Sequence, residues 1–343
     1  MNFGILVDPL YKPADLVEIA RQIEQVGFSS FWYPDEKYFR DCYIGLALVA
    51  ANTHQIRLGP CVTDPYSRHP IQTAAAIGSL AEIAPDRVWL GIGAGGRGLS
   101  EIGIQMDHPA TAIKEAIEIV RRLLLGESVK YDGRVIRLQE RTLDFKPPQN
   151  VKIMVGTGHG RFIQQMAGEI ADAVMLANYA TPSTIQKALQ YVEKGAARVN
   201  RSLESIYLIS RVDVSLHSDV QKARQAVAPK ILSALRASYP DLNYLQDLPE
   251  FELSSNLLSV LNKKDYHSRS YYADPKRSAK LIPLTLTENL SIAGDPDEVA
   301  NKLQAIINMG IFNEITIRPV MSENQTIYEF ISLFCNTVLP QLQ

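Results

Sequence analysis

Residues 88–98 read VWLGIGAGGRG, an apolar run that gives way to five glycines within the nine residues Leu90–Gly98. The apolar half has the length and all-round hydrophobicity of a strand buried on both faces, as a parallel sheet requires. The glycine half lets backbone N–H groups approach a ligand closely, and a helix beginning just after it favours phosphate. A dinucleotide fold would place G-x-G-x-x-G here, whereas the spacing is Gly91-x-Gly93-x-Gly95-Gly96. The choice between an open nucleotide-binding sheet and a closed barrel therefore falls to the rest of the chain.

Working outward, short apolar runs alternate with amphipathic stretches from end to end. Strands are predicted at Phe3–Val7, Ser30–Tyr33, Ile56–Pro60, Val88–Ile92, Lys152–Gly156, Ala173–Leu176, Ile206–Leu216 and Glu314–Arg318. Helices are predicted at Pro13–Val26, Gln72–Ile83, Ala110–Leu125, Pro182–Val199, Val220–Ala237 and Asp295–Met309, with Gly27 and Gly310 closing the first and last. Glycine-rich or polar turns follow three separate strands, after Pro60, Ile92 and Val155. A site assembled from several strand ends is barrel logic, so the prediction is a (β/α)8 TIM barrel, one domain over residues 1–343.

Two segments interrupt the alternation. VKYDGRVIRL at Val129–Leu138 reads as a β-hairpin turning at Asp132-Gly133. Tyr239–Leu286 is long, proline-bearing and mixed, with Tyr244, Phe251, Tyr271 and Tyr272 and the basic residues Lys263, Lys264, Arg269, Lys276, Arg277 and Lys280. A connection of that length is expected to be a lid, an interface or partly disordered. Its basic run is a solvated face or a means of steering in an anionic cofactor.

With 46% hydrophobic and 21% charged residues, the chain has material for one large core. A formal net charge of −2 offers no polycation to recruit nucleic acid or an anionic membrane. The N-terminus has no signal-peptide pattern, and no run approaches the ~18 apolar residues of a membrane span, so a cytoplasmic protein is expected. Cys42, Cys61 and Cys335 are too far apart in sequence to suggest a disulfide framework, and the histidines show no metal-ligand spacing.

Four loops could carry chemistry. LGPCVTDPYSRHP at Leu58–Pro70 contains Cys61, Val62 and Thr63 and reads either as a cofactor-supporting loop or as a plain turn, with a helix starting at Pro70. The run Gly93, Ala94, Gly95, Gly96 is the glycine loop of the opening stretch. VGTGHG supplies Gly156, Thr157, Gly158, His159 and Gly160 ahead of a helix, an anion-compatible cradle without the Lys-Ser/Thr pair of a P-loop. His159 reaches a phosphate or a ring, or is simply solvated. FWYPDEKYFRDCY places Asp35 and Glu36 just past the second strand. Adjacent carboxylates there can be pushed apart in pKa so that one donates a proton, or they form a charged loop beside Lys37.

The order of these pieces resembles the bacterial luciferase-like superfamily of flavin and deazaflavin oxidoreductases. It is most similar to the branch of coenzyme F420-dependent methylenetetrahydromethanopterin reductases and deazaflavin-dependent glucose-6-phosphate dehydrogenases. The matching strings are MNFGI, LGPCVTDPYSRHP, EIAPDRVWLGIGAGG, MVGTGHGRFIQQMAGEIADAVML and SIAGDPDEVANKLQAIINMGI. The resemblance implies an enzyme that moves a hydride between coenzyme F420 and a small organic substrate, with the ring at the C-terminal mouth. It implies a non-prolyl cis peptide at Cys61–Val62 backing that ring, Gly93–Gly96 and Gly156–Gly160 holding the ribityl and phosphate portion, and a homodimer. Two alternatives keep the fold: an FMN-dependent two-component monooxygenase, and a catalytically silent binding subunit. The chain departs from the branch at Asp35-Glu36, where an Asp-His is common. It also departs at Leu6 and Gly96, where the pterin reductases carry acids.

Overall fold

The computed structural model describes residues 1–96, 98–245, 248, 253–262 and 274–342. Its main strands are β1 (Asn2–Leu6), β2 (Ser30–Tyr33), β3 (Arg57–Pro60) and β4 (Trp89–Ile92). A small hairpin, β5 (Val129–Asp132) and β6 (Arg137–Arg141), precedes β7 (Lys152–Thr157), β8 (Ala173–Ala177) and β9 (Tyr207–Leu216). The last are β10 (Ile292–Gly294) and β11 (Glu314–Pro319). All eight predicted barrel strands are present and parallel, in the order β3-β2-β1-β11-β9-β8-β7-β4. Isolated bridges Leu58–Val88 and Thr63–Ile92 join β3 to β4 and close the ring. The fold is an eight-stranded TIM barrel.

Between those two bridges the chain leaving β3 advances one residue more than the chain leaving β4. That is a β-bulge, and it carries the cis peptide bond Cys61–Val62. β10 is an addition that the sequence reading did not include. Its three residues extend the sheet beside Val214–Leu216 of the unusually long β9; so short a run carries no periodicity to read.

Among the described residues eight helices accompany the strands up to β9. They are α1 (Pro13–Gln25), α2 (Cys42–Asn52), α3 (Pro70–Ile83), α4 (Gly98–Glu101), α5 (Pro109–Leu124), α6 (Arg161–Ile170), α7 (Pro182–Arg198) and α8 (Val220–Ser238). Of these, α1, α3, α5, α7 and α8 follow the predicted spans within about two residues. Pro70 opens α3 as expected, with the His69 ring accepting from the Ile71 amide. The predicted Asp295–Met309 helix runs Pro296–Ile307. α2 was not predicted, because it is apolar almost all round and gives no amphipathic signal.

Alternation along the strands sorts the barrel interior into three layers. At the N-terminal end, fully buried Glu314 accepts from Ser30 Oγ (2.6 Å), Trp32 Nε1 (3.1 Å) and Thr316 Oγ1 (2.7 Å) and pairs with Arg57. The Arg57 guanidinium lies 4.2 Å over Trp89 and 5.0 Å over Tyr207. Above this plug sits an apolar layer of Leu6, Trp32, Cys61, Met154, Met175 and Ile209. The layer above that, at the C-terminal mouth, is charged again.

The hairpin differs from its prediction. Asp132 pairs with Arg137, so the turn spans residues 133–136 rather than a tight Asp-Gly pair. The physical reason is Glu115 of α5, whose carboxylate accepts the amides of Arg134 (2.7 Å), Val135 (3.0 Å) and Ile136 (2.8 Å). A Cβ at Gly133 would lie 2.5 Å from that carboxylate. Glu115→Ala should leave three amides without their acceptor and cost about 3 kcal/mol, read as a lower urea midpoint and faster amide exchange confined to residues 129–141. Exchange that stays slow there would contradict this anchoring role.

Among the described residues no helix is long and apolar enough to cross a membrane. From the Tyr239–Leu286 segment, Phe251, Tyr271, Tyr272, Lys263, Lys264 and Arg269 lie outside the described residues. Lys276 is exposed and pairs with Glu323.

Candidate active site

The mouth of the barrel is divided by strand order. The Cys61–Val62 bulge follows β3 and glycine loops follow β4 and β7, three strands that are neighbours around the ring, and charged side chains rise from β1, β11 and β9 across from them.

In the glycine half Val62 is the centrepiece. A Cβ at Gly93 would lie 2.7 Å from Val62 Cγ2, and one at Gly156 would lie 2.4 Å from Val62 Cγ1. These two glycines exist to seat the bulge. Gly95 is a different case, since its φ of +81° requires a residue without a Cβ. Ala94 packs against the core. Of the glycines in these two loops, Gly96 and Gly158 alone have nothing among the described residues within 4 Å of a built Cβ, so they face open space. Six glycines that read alike in sequence thus divide into packing, backbone and open positions, with Gly160 in ordinary contact with Ile163.

Asp35 and Glu36 meet these loops. A cavity of about 140 Å³ is lined by Pro34, Asp35, Glu36, Lys37, Cys61, Val62, Gly95, Gly96 and Gly98. Thr63 Oγ1 donates to Asp35 Oδ2 at 2.7 Å, and Arg68 Nε stands 3.5 Å from the same oxygen. Lys37 pairs with the buried Asp64, whose other oxygen accepts the amides of Tyr66 and Ser67. Asp35 is therefore fixed on the rim, whereas Glu36 is exposed. Cys61 is no nucleophile here, because burial pushes its thiol up to about 12. A larger groove of about 870 Å³ lies elsewhere, between residues 216–218, Pro296 and 323–336, and none of the predicted site residues lines it.

In the VGTGHG loop Thr157 is buried and its hydroxyl donates to the Gly158 carbonyl (3.1 Å). His159 is not a solvated loop residue. Its ring stacks on Tyr244 at 3.6 Å and meets Tyr179 edge-on at 4.6 Å. Both ring nitrogens are buried without a partner among the described residues. Burial, with the Arg211 charge nearby, lowers the ring to about 3 and keeps it neutral. Tyr244 comes from the long insertion, so this part of it covers the third glycine loop. Behind the loop, Gly160 caps α6 without a side-chain bond; Ile163 N–H turns back to the Gly160 carbonyl (3.0 Å), and the amides of Arg161 and Phe162 are left for an anion.

An unfolded histidine titrates near 6.5. Between that value and about 3 the unfolded chain takes up a proton that the native His159 refuses. Its contribution is whole above about pH 6.5 and is lost as the pH falls. His159→Phe should therefore flatten the decline of the urea midpoint between pH ~7 and pH ~5. An unchanged decline would contradict a buried neutral ring.

The charged half was not identified from sequence. Asp8 accepts from Arg318 Nε (2.9 Å) and Nη2 (2.5 Å) and from Lys230 Nζ (2.8 Å). Burial alone would raise the Asp8 carboxyl, but the charges of Arg318 and Lys230 outweigh it and hold the group well below the usual carboxylate range. Deeper in, Arg211 pairs with Asp213 at 3.0 Å and with the Asn178 side chain. A signal was available: Arg211 and Asp213 stand two apart in an otherwise apolar strand, which puts both on one face.

Residues 2–312 match the family of luciferase-like monooxygenases. The chain is 29% identical to a 5,10-methylenetetrahydromethanopterin reductase of Archaeoglobus fulgidus, over all of both chains. It is 23% identical to an F420-dependent glucose-6-phosphate dehydrogenase of Microbacterium testaceum, covering 97% of this chain and 94% of that one. The solved structure of a coenzyme F420-dependent tetrahydromethanopterin reductase from Methanopyrus kandleri superposes with a TM-score of 0.81 at 25% identity, covering 100% and 99% of the two chains.

Proposed function

The chain belongs to the luciferase-like monooxygenase family, and within it we propose a coenzyme F420-dependent oxidoreductase that exchanges a hydride with a small organic substrate. The observation that carries the reading is the open space over Gly96 and Gly158, in the two loops beside the Val62 bulge, in a chain whose full-length relatives include F420-dependent enzymes. When bound, the deazaflavin supplies the hydride donor and acceptor carbon; the protein supplies position and charge.

The residues present fit such a group. Cys61 and Val62 give a bulged, largely apolar backing at the centre of the mouth. Gly96 and Gly158 leave the loops after β4 and β7 open, and the start of α6 suits a phosphate. His159 keeps two buried ring nitrogens with no partner among the described residues, which suits a bound polar group. Asp35, oriented by Thr63 and Arg68, is placed to hold or release a proton beside the cavity, and the exposed Glu36 is the second candidate. We further propose that the enzyme works as a single barrel domain, a homodimer, in the cytoplasm.

Reduced coenzyme F420 mixed anaerobically with the enzyme and candidate carbonyl or pterin acceptors should be reoxidised with one acceptor reduced per coenzyme. Asp35→Asn should slow this by about a hundredfold, the scale of general acid catalysis. An absolute requirement for oxygen and FMN would instead establish the monooxygenase reading.

A further inference from the structure

We propose that the Asp8–Lys230–Arg318 cluster is an anion subsite, which takes a carboxylate or phosphate group of the substrate. This deepens the oxidoreductase reading and rests on it for the identity of the ligand as substrate.

The first observation is stoichiometry. One carboxylate, Asp8, holds two cations, and both cations have donors to spare. Lys230 Nζ has three protons and one recorded acceptor, Asp8 Oδ2. Arg318 directs Nε and Nη2 to the single oxygen Asp8 Oδ1, which leaves Nη1 without a recorded acceptor among the described residues. A satisfied structural ion pair would use the guanidinium fork on both carboxylate oxygens. Here the fork is turned, and two ammonium protons and one edge of the guanidinium are left over.

The second observation is access. Lys230, Arg318 and Asp8 keep 27%, 19% and 17% of their side-chain surface exposed, whereas Arg211 and Asp213 below them keep 8% and 5%. The cluster is the reachable top of the charged layer. Asp213 and Glu36 are the other carboxylates that act on Arg318. Asp213 is engaged by Arg211, and Glu36 is exposed on the rim, where water screens it.

The third is position. Asp8 follows β1, Arg318 lies on β11 and Lys230 on α8, across the mouth from the loops after β3, β4 and β7. A coenzyme seated over those loops would have its open face toward the cluster, so a substrate between them would meet these cations with its far end. In a partly dehydrated mouth a second anion can share Lys230 and Arg318 with Asp8, as charge-assisted hydrogen bonds are stronger there than in water.

The test is isothermal titration of the full chain at low ionic strength with inorganic phosphate and, separately, succinate. Saturable one-site binding of either is expected; the stronger of the two identifies the anion class. Lys230→Met should weaken it about tenfold, the scale of one lost charge-assisted hydrogen bond. Asp8→Asn should strengthen it by a similar factor, because it frees both cations; a merely structural triad would give no gain. The same titration with enzyme saturated in coenzyme F420 should still show binding. No saturable binding, an unchanged Lys230→Met, or a weaker Asp8→Asn would overturn the proposal. Displacement of the anion by F420 would overturn it too, by giving the cluster to the coenzyme's own tail. Anion binding in a chain that ignores F420 would fell the oxidoreductase reading while leaving the anion pocket standing.

Discussion

Gly158→Phe is expected to leave the melting temperature unchanged and to weaken coenzyme F420 binding by about a hundredfold, the ~3 kcal/mol of a severe steric clash. The position has nothing within 4 Å of a built Cβ and no left-handed backbone, so the folded chain accepts a side chain there. Its carbonyl already accepts from Gln164 and Tyr179, and neither bond involves the missing side chain. Gly96→Phe should behave in the same way. Gly156→Ala is the opposite case: its Cβ would press on Val62 Cγ1 at 2.4 Å, so it should cost about 1–3 kcal/mol of stability. Fluorescence titration of the coenzyme and thermal unfolding separate the outcomes. A Gly158→Phe enzyme that binds F420 normally would remove the open loop from the cofactor site.

The largest stability effect is expected at the other end of the barrel. Glu314 is fully buried with four partners, and Glu314→Ala would strand the Arg57 guanidinium between Trp89 and Tyr207. Removing one member of a buried pair costs about 3–5 kcal/mol, because the remaining charge stays dehydrated. The urea midpoint should fall accordingly. Replacing both partners, Arg57→Met with Glu314→Met, should recover most of the loss, because a well-packed apolar pair avoids the desolvation cost. Coenzyme binding by the double variant should be normal, since the N-terminal end of a barrel serves stability and the C-terminal end serves chemistry. A double variant as unstable as Glu314→Ala would show that the plug works through its hydrogen bonds to Ser30, Trp32 and Thr316 rather than through charge.

Much of this architecture was legible in the residues. Strands buried on both faces read as apolar runs, and amphipathic helices read by period, so the eight strands and the six predicted helices fell within about two residues of their observed bounds. What escaped was too short or too uniform to show a period: β10 with three residues, the short helices at Gly98–Glu101 and Ile327–Leu333, and α2 with an apolar circumference. The hairpin turn escaped because its geometry depends on Glu115, fourteen residues before the hairpin begins.

The site was legible in part. The glycine loops and Asp35 were found because turn chemistry is local. The roles of individual glycines were not, since Gly93 and Gly156 serve a valine that is distant in sequence. His159 could not be placed without Tyr244, which lies in another loop altogether. The Asp8, Lys230 and Arg318 cluster joins three elements spread over the whole chain, and only closure of the barrel brings them together.

The most direct test of the central claim is an equilibrium titration of the purified full chain with coenzyme F420 and, in parallel, with FMN, followed by fluorescence. The account predicts saturable F420 binding, weakened about a hundredfold by Gly158→Phe, with FMN bound far more weakly. Tight FMN binding with no response to F420 would contradict it.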